Sequence, residues 1–316
     1  MNKNCIDRSM YIDINGSNQW INIYTKDMNN PVLLYLHGGP GHSTSHFDHA
    51  FTRKWADIYT VVTWDQRNCG KSYSKEQKDI KLTKKLFLQD GKELTEYLLK
   101  YFSKEKITLL GHSWGSIYGA NLALEFPKYY DAFIGTGQII DIIDNEIAFK
   151  EEALIWAEND PEGMELVNQL TPEEFTLKHI EIKNIIMKRY GYNIYSRKCD
   201  YSPLKAMLFN PNYSLKDWIK FFKRDNSVYL DFIVSDEFKD FSLKNKTKYQ
   251  MPYYNINGDK DFQTNYKLAQ VYFDQIEAPF KKMYIMEDMS HGLLECRSIE
   301  FSKIIHEIKE INDSLK

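Results

Sequence analysis

The sequence is poor in cysteine, has no long apolar run and carries almost balanced charge. Its 316 residues include only four cysteines, Cys5, Cys69, Cys199 and Cys296, without the C-x-x-C spacing of a zinc or redox motif. This usage fits reduced thiols and predicts a cytoplasmic protein. No apolar run approaches a membrane span, and residues 1–7 lack the apolar segment of a secretory signal. With a net charge of −3, we expect neither a nucleic-acid nor a membrane partner.

Strand and helix patterns alternate along most of the chain. Apolar runs and period-two alternation predict strands over residues 10–14, 20–24, 32–36, 59–64, 107–110, 132–137, 253–257 and 283–286. Apolar residues at helical spacing predict helices over residues 86–102 and 299–311. Because strands alternate with helices, we expect an α/β fold with a mostly parallel sheet and helices on both faces.

The alternation stops between residues 139 and 241. Helices are predicted there over residues 145–158, 161–170, 172–190 and 203–224, and no buried-strand pattern interrupts them. We interpret residues 139–241 as a helical lid inserted into a core made of residues 1–138 and 242–316. Most aromatic residues of the lid are expected to pack it onto the core, and a few to line a cleft.

The stretch Gly111-His112-Ser113-Trp114-Gly115 reads G-x-S-x-G and lies between a predicted strand and a run of small, helix-compatible residues. Strand, sharp turn and helix together are typical of a nucleophile elbow. The two glycines let the strand and helix approach each other closely, and the strained turn exposes the serine hydroxyl. The sequence therefore predicts Ser113 as a catalytic nucleophile.

A glycine-rich loop, His37-Gly38-Gly39-Pro40-Gly41, follows the strand at residues 32–36. Acyl transfer needs two hydrogen-bond donors aimed at the oxygen that becomes negatively charged. The backbone N–H of Trp114, directly after the nucleophile, is one candidate donor. Gly39 is the preferred second donor and Gly38 the next choice, since a glycine loop brings an amide close without an obstructing side chain.

A serine nucleophile needs a base, and the base needs an anion to orient it. His291, in Ser290-His291-Gly292 after a late strand, is the candidate base. Asp261 is the preferred anion because it lies beyond the turn of Asn257-Gly258-Asp259-Lys260-Asp261, with Asp259 as the alternative. The order serine, acid, histidine is that of α/β-hydrolases. This chemistry needs no cofactor.

Two further groups of residues have a less direct interpretation. Asp65 and Arg67 are expected to tie together the loops around the oxyanion site, and Asn68 is compatible with left-handed backbone. His42, His46 and His49 have helical spacing, but no Cys or Glu completes a metal set. We expect an ordinary polar helix near the cleft and no metal.

Together these motifs resemble those of α/β-hydrolases of the proline iminopeptidase type, the S33 peptidase group. The resemblance covers the core and is carried by residues 37–41, 65–67, 70–72, 111–116, 258–261 and 290–292. It implies an eight-stranded sheet, a helical cap and a serine triad. It also implies release of an N-terminal residue, usually proline, from short peptides.

The chain departs from the family where relatives hold the amino group of the substrate. Phe262 follows the candidate acid, where an acidic residue is common, and Asp231 stands near the end of the lid, where a glutamate is expected. Gly38, Asp231 and Phe262 are thus the candidate substrate-binding residues. A carboxylesterase or other small acyl hydrolase on the same triad is the alternative, and a non-catalytic ligand-binding hydrolase fold is a more remote one.

Overall fold

A computed structural model describes residues 5–316, so the sequence expectation for residues 1–4 lies outside the described residues. Within this range one sheet has the strand order β1-β2-β4-β3-β5-β6-β7-β8. The strands are β1 (Ile6–Ile14), β2 (Ser17–Thr25), β3 (Val32–Leu36), β4 (Thr60–Asp65), β5 (Ile107–His112), β6 (Tyr130–Thr136), β7 (Tyr253–Gly258) and β8 (Lys281–Met286). β2 pairs antiparallel with β1 and β4, and the other neighbours are parallel. The predicted mostly parallel sheet is confirmed.

The helices of the described chain flank this sheet and fill the interval between β6 and β7. They are α1 (His49–Thr52), α2 (Lys84–Phe102), α3 (Trp114–Glu125), α4 (Ile142–Trp156), α5 (Pro161–Asn168), α6 (Leu177–Arg189), α7 (Pro203–Leu208), α8 (Leu215–Lys223), α9 (Ser227–Ile233), α10 (Asp236–Lys239), α11 (Tyr266–Gln275), α12 (Leu293–Cys296) and α13 (Ser298–Ser314). Among residues 5–316, none of these helices is long and apolar enough to cross a bilayer.

Two apolar cores lie on opposite faces of the sheet. In β3, Leu34 packs in the core that contains apolar residues of α2 and α3, whereas Leu33 and Tyr35 pack in the core that contains those of α1 and α13. Successive side chains of a strand point to opposite faces. β3 therefore has a continuous apolar sequence because both of its faces are covered by helices.

The interval between β6 and β7 is helical, as predicted, but one predicted helix is wrong. The stretch 203–224 forms two helices, α7 and α8, rather than one. Pro211 lies between them and has no N–H to continue a helix. Ser214 then starts α8 with a capping box, in which its side chain accepts a hydrogen bond from Asp217 N–H and the Asp217 side chain accepts one from Ser214 N–H.

The parallel strands bring four loops to the same edge of the sheet. Residues 37–41 follow β3, Ser113 follows β5, Asp261 lies beyond β7 and His291 lies beyond β8. Since the carboxyl ends of parallel strands share one edge, segments far apart in the sequence meet there. Residues of the helical interval between β6 and β7 line a cavity at this edge together with Ser113 and His291.

Candidate active site

Ser113 occupies a sharp turn between β5 and α3. Its backbone has φ 55° and ψ −122°, a conformation that non-glycine residues rarely adopt. A Cβ at Gly111 would overlap Gly115 O, and one at Gly115 would overlap Leu36 O. The glycines therefore allow the close approach of strand and helix that the elbow requires, and Ser113 stands at the N-terminus of α3.

His291 is paired with Asp261 in the interior. The imidazole Nδ1 lies 2.8 Å from Asp261 Oδ2, and both residues are buried. Asp261 Oδ1 also accepts a hydrogen bond from Thr264 N–H at 3.0 Å, and Oδ2 one from the Thr264 hydroxyl at 2.9 Å. The alternative acid, Asp259, instead accepts the Met289 N–H at 3.3 Å. With Nδ1 engaged, His291 has Nε2 available for a reacting group.

Ser113 and His291 line the same cavity, which has a volume of about 470 Å³. The core contributes Gly38, Gly39, Pro40, His42, Thr44, His112, Gln263, Thr264 and Glu295. The lid contributes Ile139, Ile142, Asn145, Glu146, Phe175, Ile180, Lys183, Asn184, Ile194, Tyr195, Ile233 and Phe238. Most of these lid side chains are apolar, and a few polar groups are placed among them, as in many small-molecule sites.

The glycine loop lies beside the nucleophile. A Cβ at Gly38 would be 3.1 Å from Ser113 Cβ, and both Gly38 and Gly39 line the cavity. Trp114 is the first residue of α3, where a backbone N–H has no acceptor within the helix. Its indole points into the core instead, where Nε1 donates to Gln66 Oε1 at 2.9 Å.

Gln66 joins the two loops that carry the candidate oxyanion donors, a role that the sequence analysis missed. Its Nε2 donates to His37 O at 3.2 Å while its Oε1 accepts from Trp114. Asp65 accepts from Ser45 Oγ at 2.8 Å and Lys71 N–H at 2.7 Å. The available signal was the position of this glutamine between Asp65 and Arg67, directly after a predicted buried strand. A buried amide requires hydrogen-bond partners for both its oxygen and its nitrogen.

His112 lies directly against the candidate base. Its ring centroid is 4.8 Å from that of His291, and it lines the cavity. Burial, with a smaller contribution from the neighbouring His291, lowers the pKa of His112 well below the ordinary histidine value. A neutral His112 places no second positive charge beside His291 when the latter accepts a proton.

Neither Asp231 nor Phe262 is among the residues that line the cavity. Asp231 is exposed on α9. Phe262 packs into the lid against Trp156 and Tyr192, with ring centroids 4.8 Å and 4.7 Å apart. The structure thus brings Gly38 to the cavity but neither of the other two candidate substrate-binding residues.

Two glutamates that the sequence analysis did not single out line the cavity. Glu146, on α4, accepts hydrogen bonds from Lys183 Nζ at 2.7 Å and Asn145 Nδ2 at 2.9 Å, and lies 3.0 Å from His179 Nε2. Burial opposes its ionisation, but Lys183 and His179 outweigh that effect and hold the pKa of Glu146 below its ordinary value. This carboxylate is therefore ionised and already neutralised by Lys183.

Glu295, on α12, is the second glutamate, and it is only 4% exposed. Among the described residues its Oε2 atom has no hydrogen-bond partner. Burial raises the pKa of Glu295 to about 7, against a smaller opposing effect of His291. The sequence could not predict that Glu295 lines the cavity, because nothing in its local sequence distinguishes it from a surface residue. Its position depends on how α12 packs in the fold.

The polar helix expected over His42, His46 and His49 is wrong, because α1 begins only at His49. His42 lines the cavity, whereas His46 packs against Phe47 and Phe221. Within residues 5–316 no group of three or more His, Cys, Asp or Glu side chains is arranged to hold a metal ion. Asn68 has a left-handed φ of 54°, as predicted.

The protein has the α/β-hydrolase fold, which confirms the predicted fold class. The family profile described as alpha/beta hydrolase fold matches residues 31–173. Among solved structures, the chain is similar to a proline iminopeptidase-related protein of Thermus thermophilus. That comparison has a TM-score of 0.66 and 17% sequence identity, and it covers 96% of each chain. At this identity the likeness concerns the fold alone.

Curated relatives confirm the resemblance to proline iminopeptidases, and the relatives themselves are named as aminopeptidases. The chain is 26% identical over 289 residues to the probable aminopeptidase YbaC of Bacillus subtilis (strain 168), and the matched residues cover 89% of each chain. It is 33% identical over 129 residues to the proline iminopeptidase of Saccharolobus solfataricus, which covers 39% of this chain and 38% of that protein.

Proposed function

We propose that this protein is a serine hydrolase that uses Ser113, His291 and Asp261 and releases N-terminal residues from short peptides or aminoacyl amides. The observation that carries the proposal is the shared cavity of Ser113 and His291, with Asp261 bonded to the far side of the imidazole. The relatedness to an aminopeptidase and a proline iminopeptidase supports the substrate class.

In the proposed reaction the Ser113 hydroxyl attacks the acyl carbon, and His291 Nε2 accepts its proton. Asp261 fixes the tautomer of His291 and stabilises the imidazolium that forms. The backbone N–H groups of Gly39 and Trp114 stabilise the oxyanion. His291 then protonates the leaving amine and activates a water molecule, which releases the acyl group from Ser113.

The lining of the cavity favours a second candidate, a carboxylesterase on the same triad. A peptidase that needs a free amino group holds that ammonium with a carboxylate. Asp231 does not reach the cavity, and the Glu146 carboxylate is already bonded to Lys183, His179 and Asn145. Of the two glutamates that line the cavity, only Glu295 has a carboxylate oxygen without a hydrogen-bond partner within residues 5–316.

Turnover of two substrate series tests the proposal. We expect hydrolysis of proline and alanine naphthylamides, and Ser113→Ala should lower kcat by a factor of about 10⁴ or more. Ser302→Ala on α13 is the matched control and should retain activity. Hydrolysis of short-chain p-nitrophenyl esters without any naphthylamide turnover would replace the peptidase by the esterase.

Labelling with a fluorophosphonate separates an enzyme from a binding protein. We expect wild type and Ser302→Ala to be labelled, and Ser113→Ala to be unlabelled although folded by circular dichroism. Folded wild type that resists labelling would contradict the catalytic role of Ser113.

A further inference from the structure

Two cysteines from distant parts of the chain meet beside the candidate base. Cys199 belongs to the lid loop 190–202, and Cys296 is the last residue of α12, five positions after His291. Their sulphur atoms lie 2.9 Å apart, and both cysteines are free thiols. They are separated by 97 positions in the sequence, so a bond between them would join the lid to the core.

The backbone around the two thiols already fixes their relative position. Asp200 N–H donates to Cys296 O at 2.8 Å, and Gly292 N–H donates to Ile194 O at 3.0 Å. The Asp200 carboxylate also accepts the Ser298 hydroxyl at 2.7 Å. The thiol contact is therefore part of a wider interface between the lid loop and the segment that carries His291.

We propose that Cys199 and Cys296 are a modification site at which a small-molecule disulfide such as oxidised glutathione forms an intramolecular disulfide that locks the lid loop to the His291 segment. Because Ile194 and Tyr195 of this loop line the cavity, the cross-link fixes one wall of the site. The proposal concerns these thiols alone and does not depend on the proposed hydrolase activity.

The chemistry takes two exchange steps. The Cys199 thiolate attacks one sulphur of oxidised glutathione and releases one molecule of glutathione thiolate. Cys296 loses its proton and attacks Cys199 Sγ, which releases the second molecule of glutathione. The pair loses two protons and two electrons, and one glutathione disulfide is reduced to two thiols.

The surroundings determine the order of the two steps. Cys296 is buried, whereas Cys199 is partly exposed and meets the oxidant first. Burial, together with the contact with Cys199, raises the pKa of the Cys296 thiol well above its ordinary value. The second step therefore accelerates in alkaline solution, since only the thiolate attacks.

Intact-mass and peptide analysis of the full chain after incubation with oxidised glutathione tests whether the bond forms. In a Cys5→Ser background, which removes the exposed free thiol, we expect a mass lower by two hydrogens, a linked peptide pair containing Cys199 and Cys296, and reversal by dithiothreitol. Cys296→Ser should instead stop at a glutathione adduct on Cys199. Cys69→Ser, a buried cysteine elsewhere, is the matched control and should form the cross-link. Adducts on Cys199 without the linked peptide would overturn the proposal.

Amide hydrogen exchange tests whether the bond locks the loop. We expect amide exchange at Asp200 and Gly292 to slow by at least about tenfold after oxidation. A cross-link typically contributes more stabilising free energy than a tenfold change in exchange rate represents. The Lys104 amide, which donates to Leu99 O at the end of α2, should be unaffected. Unchanged exchange at Asp200 and Gly292 in the cross-linked protein would also overturn the proposal. Both measurements are independent of catalysis, so their failure is distinct from failure of the hydrolase assignment.

Discussion

At the scale of single residues, Glu295 is a carboxyl group placed in surroundings that disfavour its charge. Its pKa rises from 4.5 to about 7 because it is buried. A carboxyl group whose pKa is raised on folding binds its proton more tightly in the folded state. Its contribution to stability is present below the unfolded pKa and is lost as the pH rises toward 7.

We therefore predict that Glu295→Gln changes the free energy of unfolding more favourably at pH 8 than at pH 4. The expected difference in the free energy of unfolding is up to about 3 kcal/mol, because glutamine stays neutral where glutamate must ionise. Urea unfolding of both proteins at the two pH values measures it. Glu300→Gln on α13, an exposed position, is the control, and an equal effect at pH 4 and pH 8 would contradict the interpretation.

At the scale of secondary-structure elements, α4 positions the loop that carries the candidate acid. Asn145 Nδ2 donates to Gln263 O at 3.0 Å, and its Oδ1 accepts Asn265 N–H at 2.8 Å. Lys183 on α6 donates to the same carbonyl at 3.1 Å. α4 and α6 thus hold the segment directly after Asp261, so they orient the proposed catalytic acid.

We predict that Asn145→Ala lowers kcat by between about ten- and a hundredfold, because a small displacement of the acid misplaces His291. Its cost in stability should be about 1–3 kcal/mol. Asn210→Ala is the matched control, since Asn210 is also a buried lid asparagine and donates to Ser45 O at 2.8 Å. Steady-state kinetics and urea unfolding of both variants measure these effects. An equal fall of kcat in the two variants would refute the positioning role of Asn145.

How much the sequence predicts differs between elements. Ser113 is recognisable because a tight turn after the buried strand β5 restricts which residues are allowed. The strand before His291, β8, is only partly buried and was recognisable from its apolar run alone. The break between α7 and α8 was missed because apolar helical spacing outweighed the signal of Pro211. Glu146 and Glu295 were missed because facing the cavity depends on how the lid packs, and no local pattern records that.

At the scale of the whole molecule, one buried ion pair joins distant parts of the core. Arg67 donates to both oxygens of Asp90 on α2, at 2.6 Å and 2.7 Å, and to Ile14 O and Asn15 O of the first hairpin. Both side chains are almost fully buried. Burial raises the pKa of Asp90 even with Arg67 beside it, so its charge depends on this partner.

We predict that Arg67→Met lowers the free energy of unfolding by about 3–5 kcal/mol, because it leaves a buried carboxylate without its counter-charge. Arg67→Met combined with Asp90→Asn should recover part of that loss, since the second change removes the unpaired charge. Thermal or urea unfolding measures both variants. A double variant less stable than Arg67→Met would contradict this explanation.

The contacts of Ile194 restrict how the enzyme can admit and release molecules. Its carbonyl accepts hydrogen bonds from Gly292 N–H and the Ser290 hydroxyl, on either side of His291. If loop 190–202 swung away completely, the histidine would lose the neighbours that hold its backbone in place. Any opening of this loop that widens the cavity is therefore coupled to the backbone on both sides of His291, so entry of a molecule and the position of the imidazole depend on the same two contacts.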